Sequence, residues 1–379
     1  MRFGRTFTVL GAVTLVMAVP VAAQAQATAP GLRAELDAVT KAGAVAAVAE
    51  YRDGAYVWRG ASGVAELGRW RPAPENGRFR AGSITKSLTS TVVVQLAGEG
   101  RLSLSDPVSQ HLPGLVPNGD QITLRQLLNH TSGVYNYTRD LFTSEEQLVR
   151  DRYRSWEPEE LVAVATRHTA DFPPGTSWSY SNTGYVLLGM VIEKVTGRSY
   201  AGEVERRVLR PAGMHRTSFP GDFPLLTGPH AHGYVQVKGK PVDITSWNPS
   251  AAWAAGEIVT TTDDLNRFYR SLLTGKLVRP ALLAEMLTPD VHSGGEYGLG
   301  LQRVALPCGG EMWGHTGGVP GYSTFSFSSV DGTKQLTLST TAYDKEFEEA
   351  VVGMYLKAFC GEGASDGLKK GSFELKIAA

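Results

Sequence analysis

An excess of charge of either sign is missing from this chain. Its 379 residues hold 37 Lys+Arg and 37 Asp+Glu, a formal net charge of zero with a pI near 7.1. That removes the electrostatic attraction that would draw nucleic acid or an anionic membrane to it. Charged residues make up 20% and hydrophobic ones 42%, so the chain can bury a core and lacks the composition of a disordered one. Beyond the N-terminus no stretch approaches the ~18 apolar residues that a membrane span needs. There is no internal repeat, and the 43 Gly and 20 Pro fall in no Gly-X-Y period or proline tract, so they mark loops. No HExxH, P-loop or dinucleotide fingerprint is present. His230 and His232 stand without the nearby acid or Cys of a metal site. Neither a metal nor a cofactor is expected.

Cysteine is scarce too. Cys308 and Cys360 lie outside the motifs below, which argues against a Cys nucleophile. They are 360 − 308 = 52 residues apart. Paired, they would staple the C-terminal region by roughly 3–4 kcal/mol on chain entropy; the alternative is two buried thiols. The one long apolar run, FTVLGAVTLVMAVPVAA, follows Arg2 and Arg5 and ends near Ala23-Gln24-Ala25. It is short and broken by Pro20, so residues 1–25 read as a removed signal peptide rather than an anchor. The protein is then secreted or periplasmic. Removal takes two Arg and no acid, leaving 37 − 2 = 35 basic side chains and a charge of 35 − 37 = −2.

The length predicts about two structural regions. Residues 43–67 read as a β-hairpin turning at Asp53-Gly54. Residues 83–97 read as a helix that is apolar on more than one face, hence buried. Short helical patterns follow at 124–129, 158–167 and 184–196, the last with Gly197 as its C-cap. Strands at 322–329 and 335–341 flank Asp331-Gly332, and a helix at about 344–359 follows. The expected organisation is a discontinuous α/β domain from 28–105 and 255–362, a mainly helical insertion at 106–254, and a tail at 363–379.

Three short motifs carry chemistry. Ser83-Ile84-Thr85-Lys86 opens the buried helix, and residues i and i+3 share a face about 5–6 Å apart. A Ser hydroxyl needs a base, and a desolvated Lys can supply it. The helix N-terminus would offer free N–H groups to an oxyanion. The plainer reading is Ser83 as N-cap and Lys86 on the surface. Tyr180-Ser181-Asn182 precedes the helix at 184–196. It reads either as a turn capped by Asn182 or as a proton relay beside an amide that holds a substrate. His315-Thr316-Gly317-Gly318 reads as a strand whose glycines admit a ligand backbone, with His315 a donor that can be cationic near neutral pH, or else as a tight turn. Asn129-His-Thr and Asn136-Tyr-Thr fit the glycosylation pattern but are idle in a bacterial protein.

Taken together and in this order, the motifs resemble the active-serine penicillin-recognising set. The chain looks like the serine β-lactamase-like family that holds class C β-lactamases, secreted D-alanyl-D-alanine carboxypeptidases and related esterases. It is most similar to the actinomycete-type carboxypeptidases. The stretches FRAGSITKSLTS, ITLRQLLNHTSGVYNYT, SYSNTGYVLLGMVIEKVTG, AAGEIVTTTDDLNRF, YGLGLQ and WGHTGGVPGYST carry the likeness from about residue 35 to 360. The resemblance implies an antiparallel sheet flanked by helices plus the inserted helical domain, a Cys308–Cys360 disulfide and a monomer. It implies Ser83 as nucleophile, Lys86 as base, Tyr180 as proton relay to the leaving group and Asn182 on the acyl-side amide. His315 and Thr316 would support the relay and the substrate carboxylate, Gly317 would line the substrate, and the N–H groups of Ser83 and Gly318 would form the oxyanion hole. The partner would be peptidoglycan stem peptides or β-lactams, and the expected activity is that of a D-alanyl-D-alanine carboxypeptidase, with a β-lactamase or esterase as alternative. Two departures bear on the substrate carboxylate. Gly318 replaces a Thr, and Gln302 stands where the relatives carry an anchoring Arg, with Arg303 beside it. A lost charged hydrogen bond would weaken carboxylate binding by roughly 1.5–3 kcal/mol. A cleft Trp would be Trp253 or Trp247.

Overall fold

The computed structural model describes residues 31–341 and 347–362, with Met1 and Leu375. The expected signal peptide beyond Met1, the expected helix start at 344 and the tail from 363 (Leu375 excepted) lie outside the described residues. Helix α1 spans Arg33–Lys41, and strands β1 (Ala46–Asp53) and β2 (Tyr56–Gly63) form the expected hairpin. Helices α2 (Thr85–Gly98), α3 (Asn182–Thr196) and α4 (Thr262–Leu273) follow. Strands β3 (Gln302–Ala305), β4 (Glu311–Val319), β5 (Tyr322–Ser329) and β6 (Lys334–Thr341) then lead to α5 (Glu348–Cys360).

The six strands make one antiparallel sheet in the order β2-β1-β6-β5-β4-β3. The N-terminal hairpin therefore pairs with the last strand, Ala46 opposite Thr341, and both ends of the described chain build one sheet. Its two faces differ because side chains alternate along each strand. Phe325, Phe327, Leu336 and Leu338 point to α1 and α5, where they bury Leu36, Val351, Met354 and Tyr355. The opposite face is polar. Thr324, Ser326, Ser328, Gln335 and Thr337 are buried there, and burial is tolerated because they are hydrogen-bonded. The Ser326 and Thr337 hydroxyls lie 2.6 Å apart, Thr337 donates to Asn266 Oδ1 on α4 (2.7 Å), and Gln335 Nε2 donates to the Asn266 carbonyl.

A larger core joins α2 to α3 through Leu88, Val92, Leu187, Leu188 and Val191. As its apolar pattern suggests, α2 is buried on all sides. Its hydroxyls tie it to distant loops: Ser87 donates to Gly300 O (2.8 Å), Ser90 to Leu299 O (2.7 Å) and Thr89 to Ala254 O (2.9 Å). Helix α3 ends at Gly197, whose φ of 69° is the left-handed cap expected of it. Residues 106–254 otherwise hold short helices, including Leu124–Leu128 and Pro158–Thr166, and a two-stranded hairpin at Tyr234–Val237 and Lys240–Asp243.

Cys308 and Cys360 form a disulfide that joins the β3–β4 connection to the end of α5. Strand β4 lies hard against the turn before α2. A Cβ on Gly317 would stand 1.9 Å from Ala81 O and 3.1 Å from Ser83 N, and one on Gly82 (φ 54°) 2.9 Å from Gly318 N. Gly317 thus admits the protein's own backbone, where the sequence suggested that of a ligand. Gly317→Ala is expected to push β4 off the turn and slow covalent labelling of Ser83 by a fluorophosphonate about 100-fold; labelling at the wild-type rate would show that β4 need not touch it. Replacing both cysteines by Ser should lower stability by about 3–4 kcal/mol, read as the loss in denaturant unfolding free energy.

Candidate active site

Ser83 occupies the 3-10 turn Gly82–Ile84 and is buried. One helical turn on, Lys86 Nζ lies 3.0 Å from its Oγ, as the i,i+3 spacing requires. Lys86 is not on the surface: it is completely enclosed. Its other partners are Asn182 Oδ1 at 2.6 Å, from the first residue of α3, and the Ala255 carbonyl at 2.8 Å. The rings of Tyr180 and Tyr185 sit 4.9 and 5.4 Å from Nζ. None of these groups is negatively charged, so burial holds the Lys86 pKa well below that of a free amine. A neutral amine has two N–H bonds and one lone pair. Asn182 Oδ1 and Ala255 O only accept, so they take both N–H groups. The lone pair is left for the Ser83 hydroxyl, which then donates to Nζ.

The Tyr180 hydroxyl is buried and has no hydrogen-bond partner among the described residues. Burial raises its pKa well above 10, offset in part by the neighbouring Ser83, so it keeps its proton at neutral pH. Asn182 is held from three sides. Its Nδ2 donates to Asn136 Oδ1 and to Thr138 Oγ1, both at 3.3 Å, and its backbone N–H donates to Asn136 Oδ1 at 3.1 Å. The amide expected to hold a substrate is thus engaged with the protein and with Lys86, and it caps nothing: Ser181 is the N-cap residue of α3.

The third motif differs from expectation in its charge. His315 is completely buried, with its Nε2 2.8 Å from the Tyr297 hydroxyl and its Nδ1 2.5 Å from the Thr316 carbonyl. Burial pushes its pKa down to about 3, with Lys86 adding to the fall and the Thr316 carbonyl opposing it. A neutral ring donates from Nδ1 to that carbonyl and accepts the Tyr297 proton at Nε2. No cation stands at 315. The Thr316 N–H donates to Gln302 Oε1 (2.9 Å), which fixes Gln302 along the β3–β4 pair.

Two expected site residues are engaged with other side chains. Arg303 points to the other face of β3 from Gln302, because neighbours on a strand alternate. It donates to Glu311, whose second oxygen holds the Trp313 indole at 2.8 Å. Trp253 packs edge-on to Tyr200 with ring centres 4.7 Å apart and lies against Gly189 of α3. Trp247 is buried under Arg80 and lines a cavity of about 190 Å3 with Leu141, Trp156 and Arg167. The Thr138–Leu141 helix, which contributes Leu141 to that cavity, also carries the Asn182 partner Thr138.

Several groups around Lys86 escaped the sequence reading. The Ala255 carbonyl has no sequence signal, because any residue supplies one. Asn136 and Asn129 drew notice only as glycosylation acceptors. Both are buried, Asn136 against Asn182 and Asn129 against Asp290 (3.0 Å). His230 and His232 stack on each other, and His232 pairs with Asp243.

The family model described as Beta-lactamase matches residues 33–348. Penicillin-binding protein 4* of Bacillus subtilis is 31% identical over 307 residues, 76% of this chain and 66% of that protein. Penicillin-binding protein 4 of Amycolatopsis lactamdurans is 30% identical over 217 residues, 55% of this chain and 54% of that protein. This chain thus spans about half to two thirds of these relatives. Among solved structures, a D-stereospecific amidohydrolase from Streptomyces sp. superposes with a TM-score of 0.80 at 40% identity, covering 88% of this chain and 98% of that one. A D-amino acid amidase from Ochrobactrum anthropi SV3, complexed with L-phenylalanine amide, gives 0.76 at 27% identity, covering 87% and 97%. With the Ser83–Lys86 pair beside this sheet and a family match over most of its length, the chain belongs to the β-lactamase family of serine hydrolases, which includes penicillin-binding protein homologues.

Proposed function

We propose that this protein is a D-stereospecific amidohydrolase, cleaving an amide on the carbonyl side of a D-residue through an acyl-enzyme on Ser83. The observation that carries the reading is the absence of a free cation at each position expected to bind a terminal carboxylate. His315 is neutral, Gln302 is an uncharged amide whose Oε1 accepts from Thr316, and Arg303 is paired with Glu311 on the opposite face. A substrate ending in an uncharged amide suits such a site better than one ending in D-Ala. The likeness to a D-stereospecific amidohydrolase at 40% identity supports the same choice.

The chemistry follows from the neutral amine. Ser83 Oγ attacks the carbonyl carbon as its proton passes to Lys86 Nζ. The carbonyl oxygen becomes an oxyanion, held by the N–H groups of Ser83 and Gly318 at the close approach of β4 to the turn. Tyr180 gives its proton to the departing nitrogen and regains one from Lys86. The C–N bond breaks, ammonia or an amine leaves, and the acyl group stays on Ser83 as an ester. Water then attacks that ester, gives its proton to the same relay, and releases the D-acid with Ser83 restored. Two observations keep a second reading: the motif set and the 307-residue match to a penicillin-binding protein support a D-alanyl-D-alanine carboxypeptidase.

The two are separated by offering D-alanine amide, D-phenylalanine amide, their L-forms and a peptide ending in D-Ala-D-Ala, with Ser83→Ala as control. Ammonia release from the D-amides at least tenfold faster than D-Ala release is expected. D-Ala release with inert amides would replace the proposal with the carboxypeptidase, and turnover of benzylpenicillin far above both would replace it with a β-lactamase. The state of Lys86 sets a second expectation. Its folded pKa is depressed, so the active, unprotonated form is present at high pH and is lost as pH falls through the folded value. Acylation of Ser83 by a fluorophosphonate should fall in acid with a single limb. Lys86→Ala should lack that limb and be slower by about 100-fold to 10,000-fold; an unchanged profile would exclude Lys86 as the base.

A further inference from the structure

We propose that His130, which none of the expected roles uses, is the positioning residue for Tyr180: one residue fixes both flanks of the relay tyrosine and its ring. The inference rests on the hydrolase reading of Ser83 but not on which amide is cleaved. The His130 carbonyl accepts the Ser179 N–H at 3.1 Å, and its Nδ1 accepts the Ser181 N–H at 3.2 Å. The residue between these two anchors is Tyr180, whose ring tilts over the imidazole with centres 4.3 Å apart. Tyr297, the partner of His315, lies 4.7 Å from the same ring, and Tyr185 5.4 Å.

Three further features set His130 apart from ordinary packing. It is enclosed, at 1% exposure. Its backbone has φ of 65°, a left-handed conformation in which non-glycine residues are uncommon and in which Asn, Asp and His are over-represented. Its Nε2, which carries the proton because Nδ1 accepts, is buried without a hydrogen-bond partner among the described residues. A buried unpaired N–H costs free energy that Phe or Leu would avoid. What the imidazole supplies that an apolar ring cannot is the Nδ1 acceptor on the Ser181 N–H. That bond also fixes the start of α3, since the next residue, Asn182, holds Lys86. A shift of Tyr180 would leave its unbonded hydroxyl off the line between Ser83 and the leaving group.

Two variants separate positioning from packing. His130→Phe keeps a ring of similar size and removes the Ser181 acceptor. His130→Asn offers a side-chain oxygen near the Nδ1 position and tolerates the left-handed backbone. Expected for His130→Phe is a roughly 100-fold slower acylation by fluorophosphonate, the scale of a misplacement near 1 Å, with a matching fall in kcat and little change in KM on a hydrolysed amide. His130→Asn should recover acylation to within about fivefold of the wild type, on the scale of one retained hydrogen bond. Wild-type acylation by His130→Phe overturns the proposal. So does an equal loss in both variants that tracks a fall in melting temperature, which would make His130 a packing residue. If the wild type reacts with the fluorophosphonate but cleaves no D-amide, the substrate reading fails while the acylation comparison still decides the role of His130.

Discussion

Everything at this site depends on burying one amine among uncharged oxygens. Lys86 is enclosed with an amide, a peptide carbonyl and a serine hydroxyl as its polar neighbours. Were residue 182 Asp, an opposite charge at 2.6 Å would favour the ammonium. Asn gives the same geometry without the charge. The three oxygens come from the Gly82–Ile84 turn before α2, the start of α3 and the turn at 253–255, which are far apart in sequence. Holding them together is the work of the large core. The hydroxyls of Ser87, Thr89 and Ser90 extend it by fastening α2 to backbone carbonyls at 300, 254 and 299.

The sheet contributes a wall rather than a charge. Strand β4 approaches the Ser83 turn closely enough that residues 82 and 317 have no room for a Cβ. The same enclosure explains His315. A side chain there is cut off from water, and an imidazolium beside Lys86 would compete with it for the same unfavourable charge. Its two nitrogens are instead matched to a hydroxyl and a carbonyl, one donating and one accepting. At the other end of β4 the half-buried edge can carry charge, and there Glu311 and Arg303 pair.

Turn chemistry made the hairpins legible: Asp53-Gly54 and Asp331-Gly332 both join paired strands, and Gly197 ends α3. The Ser83–Lys86 contact was legible because helical spacing is fixed. The resemblance to the family covered the rest of the fold, including the Cys308–Cys360 pair. What failed to read were properties set by enclosure and by register. The charge of His315 depends on burial that no tetrapeptide reveals. The direction of Arg303 follows from pairing with Trp313 across the β3–β4 ladder, and that register is a tertiary fact. Asn136 looks like a surface acceptor in sequence and is buried against Asn182. Trp253 adopts φ of 36° and packs on Tyr200, a conformation its sequence does not announce.

The same enclosure bears on what a substrate loses on entry. A terminal carboxylate moved into a site without a free cation gives up hydration that costs several kcal/mol per ion in a protein interior. A primary amide gives up weaker hydrogen bonds, each costing about 1–3 kcal/mol if left unmade. The neutral carbonyl at the bond to be cut is served equally in both cases by the Ser83 turn and β4. On the proposed reading, discrimination between an amide and a D-Ala terminus therefore rests on the leaving side of the scissile bond. It is set by the charge state of His315 and the engagement of Gln302 and Arg303, while Ser83, Lys86 and Tyr180 would serve either substrate alike.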